Sequence, residues 1–275
     1  SRKALDPCVV RDLDGKSRLY YYACEADPGS RGDHPVRLAL SDDGVRFTDR
    51  GEAFRREGLV DPDVFMFGDR WFMYVFGKGD TVIARSADGV GFTYVQDLDL
   101  RGYGTTAPVA LDDGRLRLYA FEQGKGSGNA VRSFLSTDAI HWEAEDGVRL
   151  QTAAGEAMTD PFVVRWKGGW KMYFKTEPRG GGAAAKKPRT DQPGPWDADV
   201  LVYRVSAAGL VEKAATFERA GVPTLARLKD GRLIAAHQNF PEHDDAAFDK
   251  VAVRFSSDEG ASWTAAETIR LEGLP

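Results

Sequence analysis

Cysteine and histidine are scarce, with two and four residues in a chain of 275. Neither is spaced as zinc ligands are, so no zinc centre is expected. No glycine-rich stretch carries a phosphate-binding spacing, which sets nucleotide chemistry aside. No apolar run is long enough to cross a bilayer. Lys and Arg number 37 against 42 Asp and Glu, a net charge of −5, so neither a nucleic acid nor an anionic membrane is the expected partner. A sustained apolar period of 3.6 residues is also missing, which argues against long helices. The chain opens Ser1-Arg2-Lys3 without a visible signal peptide, one cut away or never present, and the compartment stays open.

What is abundant is glycine, 30 residues, and a fivefold pattern of prolines that open short apolar runs. The runs are Asp6-Pro7-Cys8-Val9-Val10, Asp61-Pro62-Asp63-Val64-Phe65, Ala107-Pro108-Val109-Ala110-Leu111, Asp160-Pro161-Phe162-Val163-Val164 and Val222-Pro223-Thr224-Leu225. Their prolines lie 55, 46, 53 and 62 residues apart, close to one fifth of the chain. Such a period marks a repeat architecture. Each unit carries four β-like segments, and the first two are joined by Asp14-Gly15, Gly68-Asp69, Asp113-Gly114, Gly168-Gly169 or Asp230-Gly231. These pairs supply the positive φ of tight hairpins.

A second signal sits between the third and fourth segments. Ser256-Ser257-Asp258-Glu259-Gly260-Ala261-Ser262-Trp263 fits the pattern of the Asp box found in sialidases. Shorter relatives start at Ser41, Ser86 and Ser136 and end at Phe47, Phe92 and Trp142. The expected role is a structural turn: the aspartate accepts backbone hydrogen bonds, glycine takes the left-handed dihedral, and the aromatic fills the gap between sheets.

Five four-stranded units predict an all-β fold, a five-bladed β-propeller spanning residues 1–275 as one domain. The last unit has its own outer strand near Thr264 to Leu271, so the ring is expected to close by packing, with no strand exchanged between the ends. Cys8 and Cys24 fall on the first and second strands of the first blade, and either a disulfide or two buried free thiols fits that placement.

In such blades the starts of first strands and the ends of second strands share the channel face, and the turns lie on the other. The channel-face candidates from strand starts are Asp6, Asp61, Asp63, Thr105, Thr106, Glu156, Thr159 and Asp160. Second strands and the loops after them add Glu122, Lys175, Glu177, His237 and Gln238, among others. Carboxylates converging on one funnel repel, raising the pKa of at least one and setting an acid beside a base, the arrangement glycoside hydrolysis requires. Aspartate before proline is also a common turn entry, and proline suits the first residue of a strand. Ala107 and Val222 at the equivalent positions imply that the fold does not demand aspartate there.

The run Val60-Asp61-Pro62-Asp63-Val64-Phe65, followed by Gly68-Asp69-Arg70-Trp71-Phe72-Met73-Tyr74, and Asp6-Pro7 at the first blade, resemble the arabinanase, levansucrase and invertase superfamily, family 43 glycoside hydrolases in particular. The resemblance implies a glycosidase acting on an oligo- or polysaccharide, a monomer, and a secreted or periplasmic setting. It implies that Asp6 is general base in an inverting mechanism or nucleophile in a retaining one. The family's third-blade Asp-Pro is replaced by Thr105-Thr106-Ala107-Pro108, and its fourth-blade Glu-x-Pro by Asp160-Pro161. Asp61 and Asp160 then complete the carboxylate cluster. For the acid, Glu122 at a strand end is preferred to Glu156 on a linker, because a strand end is more rigid. Glu177, beside Lys175, suits substrate binding. Asp63, Thr106 and His237 join the expected binding residues. No cofactor is expected, although the resemblance leaves room for a structural calcium in the channel with His237 as its ligand.

Residues 176–198 form the longest insertion, either a lid over a sugar site or a disordered surface loop, in which Trp196 offers a ring for stacking. Three other classes stay in view. A sialidase would share the turns but needs six blades; a carbohydrate-binding propeller needs no axial acids; a lyase or cyclase would use one aspartate as plain base.

Overall fold

The computed structural model describes residues 3–12, 14–24, 35–77, 80–100, 102–122, 130–151, 156–166, 169–178, 199–205, 211–239 and 251–273. Among them there is no helix, and the strands form five sheets. The first runs β1 (Lys3–Arg11), β2 (Ser17–Cys24), β3 (Val36–Ser41), β4 (Arg46–Phe54). The second runs β5 (Leu59–Phe67), β6 (Arg70–Gly77), β7 (Asp80–Ser86), β8 (Thr93–Leu98). In the third, β9 (Tyr103–Ala110), β10 (Leu116–Glu122) and β11 (Ala130–Ser136) are followed by two fragments, β12 (Glu143–Ala144) and β13 (Leu150–Gln151), both paired with β11. The fourth holds β14 (Glu156–Trp166), β15 (Gly169–Pro178), β16 (Asp199–Val205) and β17 (Val211–Phe217). The fifth holds β18 (Ala220–Arg227), β19 (Leu233–Asn239), β20 (Val251–Ser256) and β21 (Glu267–Thr268). The fold is the five-bladed β-propeller that the repeat predicts.

Two compact units divide the chain. The first comprises Ser1–Arg101, Thr224–Gln238 and Asp249–Pro275; the second comprises Gly102–Pro223 and Asn239–Phe248. Within the first, the facing residues of two sheets, among them Tyr20, Leu38, Val64, Met73 and Val82, form one buried cluster. Within the second, Val109, Phe121, Val131, Met158, Val163 and Phe174 do the same. Alternation along each strand puts these side chains on one face, so the sheets bury their apolar stripes against one another.

The serine-aspartate turns behave as structure. Asp43 Oδ1 accepts from the Val45 and Arg46 N–H groups at 2.9 and 2.8 Å, and Asp138 Oδ1 accepts from Ile140 and His141 at 2.8 Å each. Gly44, Gly89 and Gly260 take φ of 79°, 71° and 75°, and Ala139 takes 61° in the third blade. At Gly89 a Cβ would lie 2.9 Å from the Trp71 ring, so space and dihedral both require glycine. Phe47 and Phe92 plug the core beneath.

One expectation is corrected and one open alternative is resolved. The chain's last strand, β22 (Arg270–Glu272), leaves the fifth sheet and pairs parallel with β4, Leu271 opposite Phe47. A strand is therefore exchanged, and it covers an edge that would otherwise leave a row of peptide groups unpaired. Cys8 is a free thiol, fully buried; Cys8 pairs with Tyr20 and Cys24 with Lys3, four ladder positions away, and no bridge joins them.

Candidate functional site

The prolines do not open strands. Each Asp-Pro lies inside one, at a β-bulge. Leu5 pairs with Tyr22 and Cys8 with Tyr20, so Asp6 and Pro7 together face Tyr21. Asp61 is the extra residue between the pairs Val60–Phe76 and Pro62–Val75. Asp160 and Pro161 face Phe174 in the same way. Asp6, Asp61 and Asp160 have φ of 48°, 51° and 53°. A bulge leaves one peptide group out of the ladder, which suits proline, and aspartate tolerates the left-handed region better than most residues. Val222, before Pro223, has φ 47°, a strained value for a β-branched side chain.

Alignment by proline misplaces the third blade. There Tyr103 pairs with Glu122 and Thr106 with Ala120, so Gly104 and Thr105 oppose Phe121, while Ala107 and Pro108 sit in plain ladder opposite Tyr119 and Leu118. The counterpart of the bulge aspartate is thus Gly104, where a Cβ would collide with the Phe121 ring. Ala107 is not informative about what the bulge demands.

In the first unit, Asp6 is held at both oxygens. The Gln238 side-chain Nε2 donates to its Oδ1 at 2.9 Å, and the Asp61 backbone N–H donates to its Oδ2 at 3.4 Å. Strand alternation turns Gln238, rather than its neighbour His237, toward the aspartate. His237 is fully buried, its Nδ1 2.8 Å from the Gln238 carbonyl oxygen, and burial pulls its pKa down to about 4. Among the described residues no three His, Cys, Asp or Glu are grouped to hold a metal ion.

Asp63, two residues past its bulge, lies at the seam between β1 and β5. The Val64 N–H donates to Cys8 Sγ at 3.2 Å, and Sγ lies 4.0 Å from Asp63 Oδ1. Asp63 as a residue is half-buried, but its Oδ2 is sealed from solvent and meets no hydrogen-bond partner among the described residues. Burial pushes its carboxyl up to about 8 and, with the charge of Asp63, pushes the Cys8 thiol up as well. Thr224, two past Val222, occupies the matching seam position: its Oγ1 accepts from Val9 N–H at 3.0 Å and donates to the Pro7 carbonyl at 3.1 Å.

In the second unit the partners differ in charge. Asp160 Oδ2 is 3.3 Å from Lys175 Nζ and accepts from Thr159 Oγ1 at 3.2 Å, and its Oδ1 accepts from Thr105 Oγ1 at 3.1 Å. Glu122 Oε1 accepts from Arg132 Nε at 2.8 Å, and both side chains are about a third exposed. Thr106 is buried. Glu156 pairs through its backbone with Pro178, so it belongs to strand β14 rather than to a linker, and Glu177 pairs with Ala157. Trp196 lies outside the described residues.

No protein-family model and no curated protein sequence matches the chain. Solved structures do share its fold. The endo-arabinase from Bacteroides thetaiotaomicron superposes with a TM-score of 0.67 at 14% identity, over 87% of this chain and 90% of that one. The Bombyx mori GH32 beta-fructofuranosidase gives 0.69 at 14% identity over 98% of this chain, which spans 63% of that enzyme. An alpha-L-arabinofuranosidase from Clostridium thermocellum gives 0.64 at 14% identity, over 96% and 93%. The fold is that of glycoside hydrolase propellers.

Proposed function

We propose that the protein is a glycosidase in which Asp6 serves as general base or nucleophile. One observation carries the reading: a carboxylate projected from a left-handed bulge and held at both oxygens, Oδ1 by Gln238 and Oδ2 by the Asp61 N–H. Such restraint keeps a reactive oxygen in one direction, the condition for effective attack or proton abstraction. Asp61 supports Asp6 through its backbone. Asp160, anchored by Lys175 and two hydroxyls, is assigned to substrate contact. Glu122 enters as the acid, a role that requires Arg132 to release it when substrate binds, since free-state contacts do not disqualify a candidate.

The test is a panel of aryl glycosides, arabinosides and xylosides included. Turnover that Asp6→Asn abolishes supports the assignment. Loss of rate in Glu122→Gln confined to substrates with poor leaving groups supports it as acid; equal loss on all of them removes it from that role.

A second reading, a carbohydrate-binding propeller without turnover, is favoured by the ion pairs that engage both Asp160 and Glu122 in the second unit. Glycan binding that survives Asp6→Asn, with no hydrolysis of any glycoside by the wild-type protein, selects it.

A further inference from the structure

The buried polar side chains of the first unit include one whose reach is wholly toward the bulge. Gln238 is 3% exposed, near the end of β19, and its Nε2 points at Asp6 Oδ1. Burying a primary amide without partners is costly, so this contact is required by packing as well as by chemistry. Its neighbour His237 turns the other way and fixes the local backbone by meeting the Gln238 carbonyl. Gln238 is thereby locked at the main chain and committed at the side chain.

We infer that Gln238 is a positioning residue that sets the direction of the Asp6 carboxylate by donating to its Oδ1. An amide can only donate through nitrogen at Oδ1, so it favours the ionised carboxylate and fixes which oxygen is occupied. Among the described side chains, the ionisable groups on the strands around Asp6 are Cys8 and Arg11 on β1, Arg18, Tyr20, Tyr21 and Tyr22 on β2, Asp61 and Asp63 on β5, and His237 on β19. The contact itself does not depend on what the protein does; only its catalytic consequence rests on the glycosidase reading.

The experiment follows two nuclear magnetic resonance signals in the full chain across roughly pH 3 to 8, a window that brackets ordinary carboxyl titration. One is the Asp6 carboxyl carbon, assigned with Asp6→Asn; the other is the Gln238 side-chain amide, assigned with Gln238→Met. In the wild-type protein the amide signal should move with the Asp6 midpoint, and Asp6→Asn should remove that movement. Gln238→Met should raise the Asp6 midpoint by about one pH unit. With a glycoside that turns over, the same variant should lower kcat about tenfold at nearly constant KM and move the acid limb of the profile upward. An amide signal that ignores Asp6 in the wild-type protein overturns the inference even if Gln238→Met does not fold. Coupled signals without turnover of any glycoside leave the positioning contact standing and remove the glycosidase reading, and turnover with uncoupled signals does the reverse.

Discussion

The same bulge is used in both units and surrounded differently. In the first, Asp6 takes an amide and a backbone N–H; in the second, Asp160 takes a lysine and two hydroxyls. A lysine at 3.3 Å binds the charge of Asp160. One local backbone device thus meets an amide in one place and a lysine in another: Gln238 reaches Asp6 from β19 of the fifth sheet, whereas Lys175 reaches Asp160 from β15 of its own sheet.

The sharpest break of that comparison is paired substitution. Asp6→Asn should lose at least about a thousandfold in kcat/KM on the best aryl glycoside, as expected for removal of a base or nucleophile. Asp160→Asn should lose about tenfold, mostly through KM; equal losses would erase the distinction.

Stability should show the opposite order. Lys175→Met leaves Asp160 with hydroxyls alone, and urea unfolding should register a loss of about 2 kcal/mol. That is less than full burial would give, because 20% of the Lys175 side chain and 12% of the Asp160 side chain remain exposed.

Asp63 offers a pH test of the first unit. Its folded pKa of about 8 lies above the ordinary carboxyl value near 4, so the folded chain keeps a proton that the unfolded chain releases between those values. Stability therefore falls as pH rises through that window and is lowest above it. Asp63→Asn should change little near pH 4 and stabilise by on the order of 1–3 kcal/mol near pH 8. A gain of the same size at both pH values would show that Asp63 does not hold its proton.

The smallest effect concerns Val222, which shares the left-handed φ of the bulge aspartates without a carboxylate. Val222→Asn or Val222→Gly should gain about 1 kcal/mol by relieving a β-branched side chain at φ 47°. Thermal unfolding that shows no gain would mean that contacts of the valine side chain offset the strain.

Five blades were legible because prolines, hairpin glycines and serine-aspartate turns all recur at one spacing, and each is a local requirement of the backbone. The exchange of β22 was not legible: three residues, Arg270, Leu271 and Glu272, carry no pattern that says which sheet they join. The third blade misled for a related reason. Pro108 looks like the other prolines, but the bulge sits at Gly104 and Thr105, and only pairing with β10 reveals it. Glu122 and Asp160 could be named as acids from their strand positions, whereas Arg132 and Lys175 could not be named as their partners, since a side chain's reach across a sheet depends on register.

The sequence by itself determined the number of blades and the places where an aspartate precedes a proline, because these follow from periodicity and turn chemistry along the chain. Tertiary structure decided that those aspartates stand on left-handed bulges, that Gln238 rather than His237 meets Asp6, and that Lys175 claims Asp160. These are contacts between residues as much as 232 positions apart, and strand register and packing, not local propensity, choose the partners.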